Sequence, residues 1–353
     1  MLVNLSFLIP QPTGLATYAR NLFPHLKSLD PTLLAAEDIP GYNCHVVPNN
    51  MTPNQGSRGH LNRLLWTQFQ LPKIYRQTRS RLLFSPIPEA PLFTNCRYVV
   101  TVHDLIPLRF PRRLSPLTPY HRYYIPQVLQ QAQHILCDSV ATAKDIVRFY
   151  SIAETKITPV SLAYDRDRFR FLNLPTQNYF FYIGRHDPYK NLHRLVAAFA
   201  KLPLSLDCQL WIAGPRDDRY TPALQQQAEA LGIGNRVRFL GYVDFDRLPE
   251  VINQAIALVF PSLWEGFGLP VLEAMGCGTP VITSNLSSLP EVAGDAAILV
   301  DPYNTEELAN AMKIVATDPE TRSQLRDRSL ARSRLFSWEK TGRLTREVLQ
   351  QYL

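Results

Sequence analysis

Short, mostly apolar runs alternate along this chain with longer stretches in which apolar residues recur every three or four positions. Leu2–Ile9, Tyr98–His103, His134–Asp138, Tyr179–Ile183, Gln209–Ala213, Val237–Leu240 and Ala257–Phe260 read as buried strands. Ala16–Leu29, Val140–Tyr150, Asn191–Leu202, Pro222–Leu231, Leu248–Asn253 and Pro270–Met275 read as the helices between them. Strand and helix in turn predict an α/β protein whose parallel sheets are wrapped by helices. At 353 residues the chain is too long for one ordinary domain and comfortable for two. The charged cluster Asp165, Arg166, Asp167 and Arg168, followed by the break at Pro175, marks the expected junction. The predicted division is one Rossmann-like domain over residues 1–170 and a second over 171–335.

Composition places the protein among globular chains: 46% of residues are hydrophobic and 19% charged. No run approaches the roughly 20 apolar residues of a membrane span. Met1 to Pro10 has no basic leader and no small-residue cleavage site, so it reads as a first strand and the expected location is cytoplasmic. The five cysteines, Cys44, Cys96, Cys137, Cys208 and Cys277, include no C-x-x-C pair, and an odd number argues against a closed disulfide framework. No metal cluster is expected.

The net charge of +7 is unevenly spread. Up to Leu174 there are 19 basic against 10 acidic residues, and beyond it 18 against 20. Arg58, Arg63, Lys73, Arg76, Arg79 and Arg81 follow one another with no acidic residue between them. Leu61, Leu64, Leu65 and Phe69, with Trp66 beside them, fall at helical spacing in the same stretch. Two readings stand: a surface helix with its leucine face packed inward, or a basic amphipathic segment that rests on an anionic membrane or meets a lipid pyrophosphate.

The most specific chemistry lies in Pro261-Ser-Leu-Trp-Glu265-Gly-Phe-Gly268-Leu-Pro-Val-Leu-Glu273, where two carboxylates are separated by seven residues including two glycines. A strand before it and an amphipathic helix after it, with Pro270 near the helix start, make the segment a strand, glycine loop and helix. Such a junction offers free backbone N–H groups and the positive end of a helix dipole to a phosphate. Glu265 is expected on the loop. Glu273 is expected in the first helical turn, where it binds paired hydroxyls or, more simply, compensates the dipole.

This segment closely resembles the E-x7-E motif of retaining glycosyltransferases of family 4, which have the GT-B fold: two Rossmann-like domains facing each other across a deep cleft. Tyr179-Phe-Phe-Tyr-Ile-Gly184-Arg185 with Lys190-Asn191-Leu is similar to the family's phosphate clamp. Val99-Val-Thr-Val-His103-Asp104 resembles the strand end with its active-site histidine, and Gly14 to Leu22 its N-terminal glycine turn. The closing stretch, 336–353, is similar to the helix that crosses back onto the N-terminal domain.

The resemblance implies a donor site in which Arg185 and Lys190, after Gly184, converge on the diphosphate without magnesium, and no cofactor is needed. It implies that Glu265, Gly266, Phe267 and Gly268 hold the sugar, that the Leu269 N–H meets the diphosphate, and that Glu273 binds the ribose. Tyr242 is expected near the base, where backbone contacts leave UDP and GDP undistinguished. His103, with Asp104 as its natural hydrogen-bond partner, is assigned to positioning and polarisation rather than proton abstraction. Gly14 is a donor contact that Ala16 makes narrower than the family's second glycine would; Tyr18 and Arg20 read equally as ordinary helix residues.

The implied activity is metal-independent, retaining transfer of a hexose from a nucleotide diphosphate sugar to a polysaccharide or lipid-linked glycan. The stretch from Trp66 to Pro107 looks most like bacterial mannosyltransferases. Expected partners are the GDP- or UDP-linked donor, a glycan or lipid-linked acceptor and an anionic membrane surface, with no nucleic acid. A catalytically silent nucleotide-sugar-binding subunit and transfer to a soluble metabolite or glucan are the rival readings. A dinucleotide oxidoreductase is disfavoured because no full G-x-G-x-x-G follows a predicted strand.

Overall fold

Parallel ladders hide both faces of a strand, so their sequences read as continuous apolar runs, and this is what both sheets show. Tyr98–Val102 and Ala257–Phe260 are buried at every position. The computed structural model describes residues 1–9, 13–112, 115 and 117–353. It divides into two units, one of residues 1–162 with 337–353 and one of residues 163–336.

The strands of the first unit are β1 (Leu2–Asn4), β2 (Thr32–Ala35), β3 (Asn43–Val46), β4 (Leu83–Ser85), β5 (Tyr98–Val102), β6 (His134–Cys137) and β7 (Ile157–Pro159). Its helices are α1 (Gly14–Leu22), α2 (Gly56–Phe69), α3 (Leu71–Gln77), the short α4 (Ile106–Arg109) and α5 (Leu117–Pro119), α6 (Ile125–Gln131) and α7 (Val140–Tyr150). The second unit has β8 (Tyr179–Ile183), β9 (Gln209–Ala213), β10 (Val237–Gly241), β11 (Ala257–Phe260), β12 (Val281–Ser284) and β13 (Ile298–Val300). Around them lie α8 (Leu192–Ala200), α9 (Thr221–Ala230), α10 (Leu248–Gln254), α11 (Leu269–Gly276), α12 (Leu289–Ala293), α13 (Thr305–Thr317) and α14 (Pro319–Ser333). The last helix, α15 (Trp338–Gln350), belongs to the first unit.

The sheet orders are β3-β2-β1-β4-β5-β6-β7 and β10-β9-β8-β11-β12-β13. In each, the first strand in sequence lies inside the sheet, with its successor on one side and a later strand on the other. The winding direction reverses there, between β1 and β4 and between β8 and β11. At such a switch point the connecting loops diverge and leave a crevice at the carboxyl ends of the strands.

Several expected boundaries move for local reasons. The first strand stops at Asn4 rather than Ile9, because the Asn4 side-chain carbonyl accepts bonds from the Ser6 amide and hydroxyl and turns the chain. The helix expected over Ala16–Leu29 ends at Leu22 and continues as a 3₁₀ segment over Phe23–Leu29, since Pro24 has no N–H to give the α ladder. The two units divide at Leu162, earlier than residue 170. Ala163, Tyr164 and Phe169 are buried, and Gly276 of α11 leaves the space that the Tyr164 ring fills: a β-carbon there would lie 2.3 Å from the ring. The short strands β2, β3, β4, β7, β12 and β13, of three or four residues each, escaped the sequence pattern.

Helix α2 inverts one expectation. Its buried residues are Gly59, Arg63, Trp66 and Thr67, while Leu61, Leu65 and Phe69 are 55%, 48% and 63% exposed. The leucine face therefore points outward. What turns the helix this way is Arg63, whose guanidinium grips the buried Glu89 carboxylate through Nε (2.7 Å) and Nη2 (2.8 Å).

Helix α15 starts at the Ser337 cap, and its Thr341 hydroxyl donates to the Ser161 carbonyl at 2.7 Å. Gly342 admits the His25 side chain so closely that a β-carbon would stand 2.2 Å from that of His25. Gly342→Val is expected to lower stability by about 1–3 kcal/mol through overpacking, measured by urea unfolding. An unchanged midpoint would show that α15 is not held at this contact.

Candidate active site

At the β8/β11 switch point two loops meet. The Pro261–Gly268 loop leaves β11 and ends at Gly268, whose φ of +112° is left-handed and whose missing β-carbon would press Leu289 at 2.8 Å. Helix α11 begins at the next residue, with Pro270 in its first turn. The amides of Phe267, Gly268 and Leu269 donate to no described residue, so the loop presents free N–H groups at the positive end of a helix. Two serines after β12 hold it in shape: the Ser287 hydroxyl accepts from the Glu265 amide (3.1 Å), and the Ser288 hydroxyl donates toward the carbonyls of Glu265 (3.0 Å) and Phe267 (2.7 Å). The Ser288 bonds occupy two loop carbonyls, and the amides of Phe267, Gly268 and Leu269 remain as the open polar edge.

The second loop leaves β8 at Gly184 (φ +151°), where a β-carbon would meet the Tyr182 hydroxyl at 2.7 Å. That hydroxyl donates to the Arg185 carbonyl at 2.9 Å and fixes the turn. The Arg185 side chain is 64% exposed, with Nε 2.9 Å from the buried Asp187 carboxylate. Lys190 reaches across to the first loop, with Nζ 2.6 Å from Glu265 Oε1 and only 12% and 11% of the two side chains exposed. Its ammonium also lies 5.2 Å from the Tyr189 ring centre and 5.4 Å from that of Phe260. Asn191, left-handed at φ +64°, donates its amide to the carbonyls of Pro261 (3.1 Å) and Pro302 (2.7 Å) and ties the loops together. The structure thus joins Gly184, Lys190 and the Glu265–Leu269 loop, with Arg185 as the cation left open to solvent.

Glu273 is the fifth residue of α11 and lies in its second turn, not its first. Dipole compensation does not account for it: a helix N-terminus would hold its pKa down, whereas burial and the nearby Asp165 push it up to about 7. Its carboxylate has no hydrogen-bond or ion-pair partner among the described residues. Tyr242 follows Gly241 at the end of edge strand β10 and is 71% exposed. Gly14 opens α1 at an exposed position where a β-carbon would meet nothing within 4 Å, so neither backbone nor packing requires glycine there. The α1 cap is Thr13, and residues 10–12 lie outside the described ones. Tyr18 and Arg20 serve the fold, the first through Thr101 (3.1 Å) and the second through the Ile9 carbonyl (2.7 Å).

His103 stands at the carboxyl end of β5, but its partner is not Asp104, which accepts the Ile106 amide instead. The partner is Asp138: Oδ2 lies 2.7 Å from Nδ1, while Nε2 lies 2.8 Å from the Pro86 carbonyl. A carbonyl can only accept, so Nε2 carries a proton. Burial disfavours charge on the ring, but the Asp138 carboxylate and the Pro86 carbonyl outweigh it and raise its pKa above the ordinary imidazole value. With Nε2 donating to Pro86 and Nδ1 engaged by Asp138, neither nitrogen is open to act as a general base. The sequence placed Asp138 at the end of an apolar run but not beside His103; that follows from the structure, where β5 and β6 pair with Val102 opposite Cys137 and the next residues emerge side by side. Ser287, Ser288 and Pro86 left no such trace.

Two family models match the chain in succession, Glycosyltransferase Family 4 over residues 12–168 and Glycosyl transferases group 1 over residues 164–332. The O-antigen chain mannosyltransferase B of Escherichia coli is 33% identical over 260 residues, covering 69% of this chain and 67% of that protein. The O-antigen chain mannosyltransferase RfbU of Salmonella typhimurium is 28% identical over 336 residues, covering 92% and 93%. Among solved structures, sucrose-phosphate synthase from Thermosynechococcus elongatus has a TM-score of 0.79 at 20% identity, covering 99% of this chain and 98% of that one. WaaG, a glycosyltransferase involved in lipopolysaccharide biosynthesis, has 0.74 at 16%, covering 98% of each; these two likenesses concern fold alone.

Two doubly wound parallel units, one bearing a phosphate-ready glycine loop at its switch point, define the GT-B class of sugar-transferring enzymes. The chain belongs to the group 1 glycosyltransferases, family 4, and transfers a hexose from a nucleotide sugar.

Glu273 gives this site a pH signature. With its pKa raised from 4.5 to about 7, the folded protein keeps a proton that the unfolded chain releases, so stability falls as pH rises through that window. Glu273→Gln is expected to flatten this slope and to be at least as stable as the parent at pH 8, measured by urea unfolding from pH 5 to 8. A parent curve already flat over that range would contradict the raised pKa.

Proposed function

We propose that this chain transfers a hexose, mannose by analogy with its named relatives, from a nucleotide diphosphate sugar to a hydroxyl of a growing polysaccharide or lipid-linked glycan, with retention and without a metal. The observation that carries the reading is the Lys190–Glu265 pair, set between the β8 and β11 loops beside free amides. Arg185 and Lys190 take the diphosphate, one as a planar fork and the other as a point charge. Glu265 and the Gly266–Leu269 loop hold the sugar, Glu273 the ribose hydroxyls, and the segment around Tyr242 the base. The anomeric carbon–oxygen bond to phosphate breaks as the acceptor oxygen bonds the same face, and the departing phosphate takes the acceptor proton. His103 positions and polarises. Both ring nitrogens are already engaged within the protein, which speaks against a base.

Titration calorimetry with UDP and then GDP, in the presence of chelator, is expected to give micromolar binding of one nucleotide, about −8 kcal/mol. Arg185→Ala and Glu265→Ala are expected to lower transfer kcat/KM by roughly 100- to 1,000-fold, the scale of losing one group that stabilises developing charge. Binding of neither nucleotide at millimolar concentration would overturn the donor reading. Tight binding with no turnover in the parent protein would favour a silent subunit.

The same reading places the enzyme at the cytoplasmic face of an anionic membrane. Among the described residues no helix is long and apolar enough to cross a bilayer. Support for a peripheral contact comes from the outward Leu61, Leu65 and Phe69 of α2, flanked by exposed Arg58, Lys73, Arg76, Arg79 and Arg81 with no carboxylate among them. Vesicles containing anionic lipid are expected to sediment the protein at low salt and release it at high salt, at about 1 kcal/mol per cation. Leu65→Ser with Phe69→Ser is expected to weaken sedimentation without altering nucleotide binding; equal sedimentation of parent and variant would remove α2 from the contact.

A further inference from the structure

The loop that leaves β4 carries Pro86, Pro88 and Pro91, which have no N–H to give, and little of its own backbone bonding holds it. Side chains from elsewhere hold it instead. Arg63 of α2 clamps Glu89 with a two-point fork, and the Tyr120 hydroxyl donates to the same carboxylate at 3.1 Å. Gln68, one turn further along α2, donates to the Ala90 carbonyl at 3.1 Å and accepts the Leu92 amide at 2.9 Å. The Tyr124 hydroxyl donates to Ala90 as well, at 2.9 Å. Arg63 is held in turn, donating to the Met51 carbonyl (3.0 Å) and to His60 Nδ1 (2.9 Å).

An arginine 7% exposed, on a helix whose leucines face water, is contrary to the usual order of burial. A buried ion pair also adds little net stability over apolar residues of the same volume. What the fork does supply is direction. It fixes where the loop runs, and the first residue of that loop presents the carbonyl that receives His103 Nε2. Asp138 fixes the other nitrogen from β6.

We propose that the Arg63–Glu89 pair is a positioning device for His103: it sets the course of the 86–92 loop so that the Pro86 carbonyl, opposite Asp138, locks the imidazole in one orientation with Nε2 donating to that carbonyl. This rests on the assignment of His103 to the transfer reaction. The pair touches no substrate and acts through the ring alone.

The test uses the full chain labelled with 15N-histidine, comparing Arg63→Lys, Glu89→Gln and the doubly apolar Arg63→Met with Glu89→Leu, which leaves no buried charge unpaired and guards against loss of folding. The His103 ring N–H signals are assigned by their disappearance in His103→Gln. All three variants are expected to shift or broaden the Nε2–H signal and to lower kcat by about 10- to 100-fold, with donor KM and nucleotide affinity unchanged. Arg63→Lys, which keeps a charge without the fork, is expected to recover only part of the rate. Parent-like kcat in the folded apolar double variant would show the pair to be structural and overturn the proposal. So would a lowered kcat with an unmoved His103 signal. Full turnover in His103→Gln would instead sink the role given to the ring, while the Nε2–H signal would still report whether the pair sets its position.

Discussion

The pairing of Lys190 with Glu265 is the constraint on which the donor site depends. Each group comes from a different loop, and the loops meet only because the order of strands reverses between β8 and β11. Burying the two charges costs several kcal/mol each, and only close, opposite placement offsets it. The surroundings are arranged accordingly: Asn191 staples one loop to the carbonyls of Pro261 and Pro302, and Ser287 and Ser288 brace the other. A site held this firmly by the protein's own groups needs little reorganisation to receive a charged donor, which is the condition under which fixed dipoles and charges are most effective.

The first unit solves a similar problem with a different device. Its titratable group, His103, is held by an acceptor at each nitrogen, one a carboxylate from the next strand and the other a backbone carbonyl. This fixes the orientation of the ring and leaves neither nitrogen open to a substrate proton. The carbonyl is only as well placed as the proline-rich loop that carries it, and the buried Arg63–Glu89 fork sets that loop. Turning α2 to bring Arg63 inward has a second result, since Leu61, Leu65 and Phe69 must then face outward among arginines. One buried guanidinium thus decides both the posture of the histidine and the character of the outer surface.

Glu273 shows how a motif can be right in spacing and wrong in local physics. Seven residues from Glu265 place it in the second turn of α11, beyond the reach of the helix end, where burial and Asp165 raise its pKa. Its carboxylate has no partner among the described residues, in contrast to the paired Glu265. The two glutamates of one motif therefore sit in unlike surroundings, one closed on an ammonium and the other buried near a second carboxylate.

Local pattern alone determined the parallel α/β class, the strands at Tyr179–Ile183, Gln209–Ala213 and Ala257–Phe260, the helix at Val140–Tyr150 and the glycine loop between Glu265 and Leu269. These were legible because a strand buried on both faces and a helix with one apolar face leave unlike periodicities, and because glycine next to a helix start has few other uses. The strands β2, β3, β4, β7, β12 and β13 were not legible, since three or four residues by themselves show no period. Nor were the partnerships. That His103 answers to Asp138 and Pro86, that Lys190 closes on Glu265, and that α2 turns its arginine inward and its leucines outward depend on strand order, register and the desolvation of paired charges. These are interactions between residues far apart in the chain, and only the tertiary structure decided them.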